Sequence, residues 1–216
     1  MFGSGLGPQQ GARTQASPDA PFPTQAAGVQ VTFDGLPAPL LWVQDAQINV
    51  LAPWSLTLGA TTKVCSSYNS RPPSCLTWPV AQTDPAVFTW DGIHVSALHQ
   101  DGTWNSASNP AAIGEVVTIF ATGLGPITPA QKDGSIVTNA SAANVLQAGV
   151  SYTILAGGPP VAIPSQCEVT YAGPAPKLAA GTTQINFRVP TVAGEPTLVV
   201  TLPGSVSPQF RIYTRQ

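Results

Sequence analysis

The 216-residue chain has 8 Lys and Arg against 10 Asp and Glu, and only 8% of its residues are charged. This balance argues against nucleic-acid binding, which needs a basic surface for the phosphate backbone. Because 43% of the residues are hydrophobic, the chain is too apolar for a disordered coil, and 20 Gly with 23 Pro favour short strands joined by turns. No apolar run reaches the roughly 18–20 residues of a membrane helix, so we expect no membrane insertion.

An internal repeat begins at the first residues. Residues 2–8 (Phe-Gly-Ser-Gly-Leu-Gly-Pro) recur as residues 120–126 (Phe-Ala-Thr-Gly-Leu-Gly-Pro). Further along, residues 47–50 (Gln-Ile-Asn-Val) recur in the same order as residues 184–187 (Gln-Ile-Asn-Phe). Matches in conserved order indicate two copies of one module of about 100 residues.

The first strand of the first copy is short. In the second copy, residues 114–119 lead as a strand into the Gly-Leu-Gly-Pro turn, whereas the first copy begins at Met1. We therefore expect an open sheet edge at Met1, Phe2 and Gly3, which an extended segment of a neighbouring subunit would complete by strand donation. The alternatives are a piece of a longer, mature or partial chain, or a domain that tolerates a shorter edge.

Apolar and polar residues alternate with a period of two, as in half-buried strands. The pattern holds at residues 29–33, 185–189 and 198–202, and four Asp-Gly pairs between strands predict turns. The best helical candidate, residues 140–147, is short. We predict an all-β fold of two tandem antiparallel immunoglobulin-like β-sandwiches, residues 1–95 and 96–216, with a hairpin at the start of the second.

The three cysteines give information on the redox compartment of the protein. Cys65 and Cys75 flank a Pro-Pro reversal, and the low charge suits an exported bacterial protein, so we predict a disulfide between them. Three unpaired buried thiols are the alternative, and Cys167 is the odd residue in either case.

The sequence contains few of the residue patterns that enzymes use for catalysis. His94 and Ser96 would share one face of a strand while His99 points to the other, and no Gly-x-Ser-x-Gly elbow is present. The histidines lack zinc-ligand spacing, and Asp101 with Asn105 offers two oxygens without the order of a calcium loop. We therefore expect no catalytic residue, metal site or cofactor; calcium at Asp101 is the weaker alternative, and a hydrolase is the least favoured function.

The five tryptophans are the strongest functional candidates, and Trp104 is the first choice among them. Trp90 and Trp104, with Gln100 and Asn105 as polar neighbours of Trp104, form a candidate ligand or interface surface, because an indole plane stacks on sugar rings and is favoured at protein interfaces. The alternative is packing at the module junction for these two, with Trp42 filling the first core.

Residues 118–126 (Thr-Ile-Phe-Ala-Thr-Gly-Leu-Gly-Pro) resemble the first strand and turn of IPT/TIG-type immunoglobulin-like domains. Nearly the whole chain resembles a C-terminal region of large secreted acidobacterial proteins, a family without established chemistry; the matching segments are residues 35–41, 97–106, 109–111, 171–173 and both Gln-Ile-Asn segments. The resemblance implies export and this fold, and no activity.

We therefore expect a non-enzymatic structural, spacer or adhesion module, secreted or on the bacterial cell surface. Its expected partner is another protein or a copy of itself. An accessory carbohydrate-binding module, with a polysaccharide as ligand, is the alternative.

Overall fold

A computed structural model describes residues 1–69, 71–138, 143–144, 146–155 and 162–216. These residues form strands and turns and no helix, which confirms the all-β fold class. None of them forms a helix long and apolar enough to span a membrane. Half of the helical candidate at residues 140–147 lies outside the described residues, and Ala143–Asn144 within it is a strand.

The chain divides into two compact units. Unit 1 comprises Met1–Gln82 with two later segments, Pro129–Ser141 and Pro176–Ala180; unit 2 comprises the remaining residues. The expected domains, residues 1–95 and 96–216, differ from this division: the first break falls between Gln82 and Thr83, and the two later segments join unit 1.

Unit 1 is built of two antiparallel sheets. One has the strand order β1-β5-β6, and the other has the order β2-β3-β7-β8 with β4 also paired to β3. The strands are β1 (Ala12–Arg13), β2 (Gln25–Ala26), β3 (Val29–Phe33), β4 (Leu36–Pro37), β5 (Leu40–Val43), β6 (Ile48–Val50), β7 (Thr61–Tyr68) and β8 (Ser74–Pro79).

The core of unit 1 contains aliphatic residues from both sheets. The period-two pattern predicted at residues 29–33 is present, because Val29 and Val31 are fully buried while Gln30 and Thr32 are half-buried. The other buried members of this cluster are Leu40, Val43, Ile48 and Val64. Trp42 is only half-buried, against Gly11, so the expectation that it fills this core is wrong.

The first three residues lie along β6. Phe2 bridges Gln47, the Gly3 amide donates to the Ala46 carbonyl at 3.1 Å, and the Ile48 amide donates to the Met1 carbonyl at 2.9 Å. Phe120 pairs with Gln184 in the second copy in the same way. The edge expected to be open is thus occupied over Gln47 and Ile48 by the chain itself, and strand donation stays a prediction.

Two later segments complete unit 1. The Phe22 amide donates to the Gly134 carbonyl at 2.8 Å, and the Trp54 amide donates to the Asp133 carboxylate at 2.9 Å. The Lys177 amide in turn donates to the Val137 carbonyl at 2.9 Å, which ties the two segments to each other.

Unit 2 also contains two main sheets. They have the orders β16-β17-β11-β9 and β15-β14-β18-β19, with β20 paired to β18; β10 pairs with β21 in parallel, and β12 pairs with β13. The strands are β9 (Ala86–Val87), β10 (Ala111–Ala112), β11 (Val116–Thr122), β12 (Ile127–Thr128), β13 (Ala143–Asn144), β14 (Gly149–Leu155), β15 (Ala162–Cys167), β16 (Val169–Pro174), β17 (Thr183–Arg188), β18 (Thr197–Leu202), β19 (Ser205–Val206), β20 (Phe210–Arg211) and β21 (Thr214–Arg215).

The core of unit 2 again joins its two main sheets. Ile119, Ile185 and Phe187 from the first sheet belong to the same buried cluster as Val150 and Leu198 from the second. Sandwich packing of this kind buries one face of each sheet and leaves the other for solvent or ligands.

Candidate functional site

Three aromatic rings are stacked in unit 2. The His94 ring lies between Trp90, with ring centroids 5.6 Å apart and planes 20° apart, and Tyr213, at 4.5 Å and 8°. Trp90 and His94 stand at the two ends of a tight turn, in which the Trp90 amide donates to the His94 carbonyl at 3.1 Å. Gly92 has a φ of 84° in this turn, as its Asp-Gly pair predicts. We call Trp90, His94 and Tyr213 the aromatic stack.

Asp91 fixes the His94 ring from one side. Its Oδ1 accepts hydrogen bonds from the Ile93 and His94 amides, and its Oδ2 lies 2.6 Å from Nδ1 of His94. Desolvation alone would raise the pKa of Asp91, but hydrogen bonds from the His94 side chain and from the two amides outweigh it and lower the pKa to about 2. Both oxygens of the Asp91 carboxylate are therefore hydrogen-bonded within this turn.

Glu195 and Arg211 lie on the other side of His94. Glu195 Oε2 is 3.4 Å from His94 Nε2 and 3.5 Å from Arg211 Nη1. Both side chains are nearly half exposed. Burial raises the pKa of the Tyr213 hydroxyl, and the carboxylates of Glu195 and Asp91 raise it further. Glu195 and Arg211 thus offer an acceptor and a donor to solvent beside the aromatic stack.

Trp90 itself is strongly exposed. Its relative exposure is 61%, and the nearby Phe88 and Ile93 are exposed as well. Because His94 is held by a carboxylate at each ring nitrogen, the indole stacked on it has a defined orientation. A fixed aromatic surface beside Glu195 and Arg211 can stack on an apolar ring face and form hydrogen bonds at its rim.

The other sequence candidates do not all join this surface. Trp104 is 60% exposed and Gln100 is also exposed. Asn105 is buried: its Nδ2 donates to the Tyr213 carbonyl at 2.8 Å, and its Oδ1 accepts from the Tyr213 amide at 2.9 Å. Asn105 is therefore unavailable as a ligand contact beside Trp104, and it holds the backbone of the aromatic stack instead.

His99, the second histidine, is buried, and both of its ring nitrogens face protein oxygens. His99 Nδ1 is 2.6 Å from Glu115 Oε1, and Nε2 is 3.0 Å from the Asn109 carbonyl. The remaining Glu115 oxygen accepts from the Ala112 amide at 3.0 Å. His99 and Glu115 therefore link the backbone at Asn109 to the backbone at Ala112.

Asp101 is hydrogen-bonded within its own turn, and Cys167 is partly buried. Asp101 accepts hydrogen bonds from the amide and hydroxyl of Thr103, which lower its pKa; the charge of His99 lowers it further, and desolvation opposes the shift. Desolvation raises the pKa of the Cys167 thiol to about 12. In the described part of the chain, no three His, Cys, Asp or Glu residues are grouped to hold a metal ion.

A second surface lies on unit 1. Cys65 and Cys75 form a disulfide that joins β7 to β8. Next to it is an open groove of about 670 Å³. Its polar lining includes Gln30, Thr32, Lys63, Ser67 and Arg71. None of the described residues that line the groove is aromatic.

The sequence pointed first to Trp104 and named Trp90 beside it, but it did not indicate Tyr213, Glu195 or Arg211. These residues lie more than 100 positions from His94 and contact it only through the sheet pairings of unit 2. A bridge between His94 and Arg211 provides this contact, and no local pattern encodes it.

No family model matches the sequence, and no curated protein matches it. Among solved structures, the crystal structure of domains 4 and 5 of the S-layer protein SbsC is similar over 88% of this chain and 77% of that chain, at 10% identity. Its TM-score of 0.25 is too low to carry a conclusion about function.

Proposed function

We propose that this chain is a non-enzymatic module of an exported bacterial structure, with a structural and adhesive role, and that the aromatic stack is its adhesive surface. The proposed ligand class is a neutral polysaccharide. The fold is compatible with many functions, so the proposal depends on the site.

The histidine side chains are already paired and Cys167 is partly buried, which supports a non-enzymatic role. A general base needs a ring nitrogen within reach of substrate, but both nitrogens of His94 and His99 face protein oxygens. The raised pKa of Cys167 makes it a poor nucleophile. The disulfide between Cys65 and Cys75 supports an oxidising compartment, such as the cell surface or the medium.

The observation that carries the adhesive role is the fixed, exposed indole of Trp90. Sugar rings present flat patches of C–H groups that pack on aromatic faces, and their hydroxyls pair with carboxylates and guanidinium groups. Glu195, at the Nε2 edge of His94, and Arg211 beside it can provide those groups. Their opposite charges leave little net attraction for an ion, which favours a neutral saccharide.

Preorganisation strengthens this assignment. A free Trp side chain loses rotamer entropy on binding, whereas Trp90 is already ordered by stacking on His94. The frame behind it extends through Tyr213 to Asn105. Phe88 and Ile93, which are close to Trp90 in the sequence, are exposed apolar residues as well.

The test compares Trp90→Ala with Trp104→Ala, because the two indoles are equally exposed and only Trp90 belongs to the aromatic stack. Retention on insoluble cellulose, chitin, xylan and peptidoglycan, followed by titration with the matching soluble oligosaccharide, measures binding. We expect loss of at least about tenfold in affinity for Trp90→Ala, and parent affinity for Trp104→Ala.

Two outcomes contradict the proposal. The first is that the parent binds none of a broad glycan array. The second is equal loss of affinity in both variants, or in Trp104→Ala alone, which would move the surface to the Trp104 hairpin. Melting temperatures of both variants show whether either change has unfolded unit 2.

A further inference from the structure

Strand β8 is an edge of its sheet with an unusual exposure pattern. Within the described part of the chain it pairs with β7 alone, in the order β2-β3-β7-β8. Leu76 lies opposite Val64 and Trp78 lies opposite Thr62. Val64 and Thr62 are buried, so Leu76 and Trp78 share the inner side of the sheet with them. Leu76 is nevertheless 61% exposed and Trp78 56% exposed.

The backbone groups of this edge that have no partner among the described residues are those of Cys75 and Thr77 and the Pro79 carbonyl. Val80 exchanges hydrogen bonds with Ala60 and Gly59 across the hairpin, so by alternation Trp78 and Leu76 also point their backbone groups toward β7. Lys63, opposite Thr77, uses both its amide and its carbonyl on Asp34. The amides and carbonyls of Thr77 and Cys75 therefore point away from β7.

From this edge we infer a self-association surface: β8 pairs antiparallel with β8 of a second copy of this chain, about a twofold axis at Thr77. In this register Thr77 faces Thr77 of the second copy, and each Leu76 faces a Trp78. The two Thr77 residues exchange two hydrogen bonds, and each Cys75 amide donates to a Pro79 carbonyl.

Several features favour a second copy as the occupant. Residues 74–79 (Ser-Cys-Leu-Thr-Trp-Pro) carry no charge, so identical strands meet without repulsion at the ladder. The nearest described cation in the ladder is Lys63 on β7, and the two copies of Lys63 would stand three strand spacings, about 14 Å, apart. That separation exceeds the Debye length of about 8 Å at physiological salt.

The usual protection of an edge strand is mostly missing here. Natural edges carry Lys, a β-bulge or Pro to prevent pairing, but the β7–β8 register runs without a shift, and the Pro of β8 stands at its end. Pro79 lies in the outward row, where it lacks one donor and limits the ladder to its five central pairs. The disulfide holds β8 to β7 at Cys75, so the edge is presented in a fixed register.

One edge strand buries less than the roughly 1,200 Å² of stable complexes, so the dimer is expected to be weak, with a dissociation constant of about 0.1 mM. The association does not depend on saccharide binding. It would give a surface structure a lateral contact that acts at high local concentration.

The experiment uses sedimentation equilibrium of the full chain from about 10 µM to 1 mM, with hydrogen exchange of the β8 peptide. We expect the average mass to rise toward that of a dimer, and the Cys75 and Thr77 amides to exchange about fivefold more slowly at 1 mM than at 10 µM. Thr77→Pro removes an outward amide without touching the β7 ladder and should weaken association at least about tenfold. Thr77→Val keeps the amide and should associate as the parent does.

Leu76→Glu provides an independent variant, since it places a carboxylate against the Trp78 ring of the second copy and should also give a monomer. Circular dichroism and an intact Cys65–Cys75 disulfide confirm that each variant is folded. A parent that stays monomeric at 1 mM overturns the inference, as does a Thr77→Pro variant that associates like the parent. Trp90→Ala should dimerise normally, so failure of saccharide binding and failure of this inference are distinguishable.

Discussion

Asn105→Ala tests whether this buried amide holds the aromatic stack. The side chain makes two hydrogen bonds, 2.8 Å and 2.9 Å, to the backbone of Tyr213. Removing it deletes both bonds and leaves an amide and a carbonyl unpaired in a partly buried place. At about 1 kcal/mol for each bond, with an added penalty for poor solvation, the expected loss is about 2–3 kcal/mol.

For a unit of this size, each kcal/mol corresponds to about 3–5 °C, so the transition of unit 2 should fall by about 6–15 °C. Differential scanning calorimetry measures this shift, and Trp fluorescence reports loosening of the aromatic stack. Gln100→Ala is the matched control, because Gln100 is exposed on the same hairpin and should change stability by less than about 0.5 kcal/mol. An Asn105→Ala transition within 2 °C of the parent would refute the assigned role.

Three further predictions concern the disulfide, the acid response and the core. Replacing Cys65 and Cys75 by Ser should lower the free energy of unfolding of unit 1 by about 2.5–3 kcal/mol through the ten-residue separation and leave unit 2 unchanged, as urea unfolding with probes in each unit will show. The pKa of Asp91 is about 2, below its ordinary 3.8, so its contribution should be complete above about pH 4 and lost as the pH falls through 2; NMR shifts of the Trp90 indole should follow this titration and be flat over that range in Asp91→Asn. Phe187→Ala should cost unit 2 about 3–5 kcal/mol by opening a cavity beside Ile185, measured by denaturant midpoint, and a loss below 1 kcal/mol would contradict its core position.

The repeat was the part of the fold most accessible from sequence. The expectation of an open edge at Met1, Phe2 and Gly3 did not anticipate the register of these residues: Phe2 lies opposite Gln47, as Phe120 lies opposite Gln184. The two copies share this register because a strand with one buried face specifies its pairing strongly.

The candidate site was accessible only in part. Trp104 was the first choice from the turn-rich sequence and Trp90 the second, and the residues that support Trp90 come from the C-terminal segment. Asn105 looked like a polar neighbour for a ligand, and its burial against Tyr213 reverses that interpretation. Long-range pairings of this kind depend on which strands meet, and a single sequence does not encode that choice locally.

The division of unit 1 along the chain has a consequence for its synthesis. Its aliphatic core lies entirely within Met1–Gln82, so the sandwich can collapse early. The partners of Phe22 and Trp54 lie in Pro129–Ser141, and Pro176–Ala180 comes later still. At about 5–20 residues per second, the ribosome needs roughly 5–20 s more to make the last of these segments. Unit 1 can therefore collapse before its last segments are synthesised. Its folding is completed only after translation has passed residue 180.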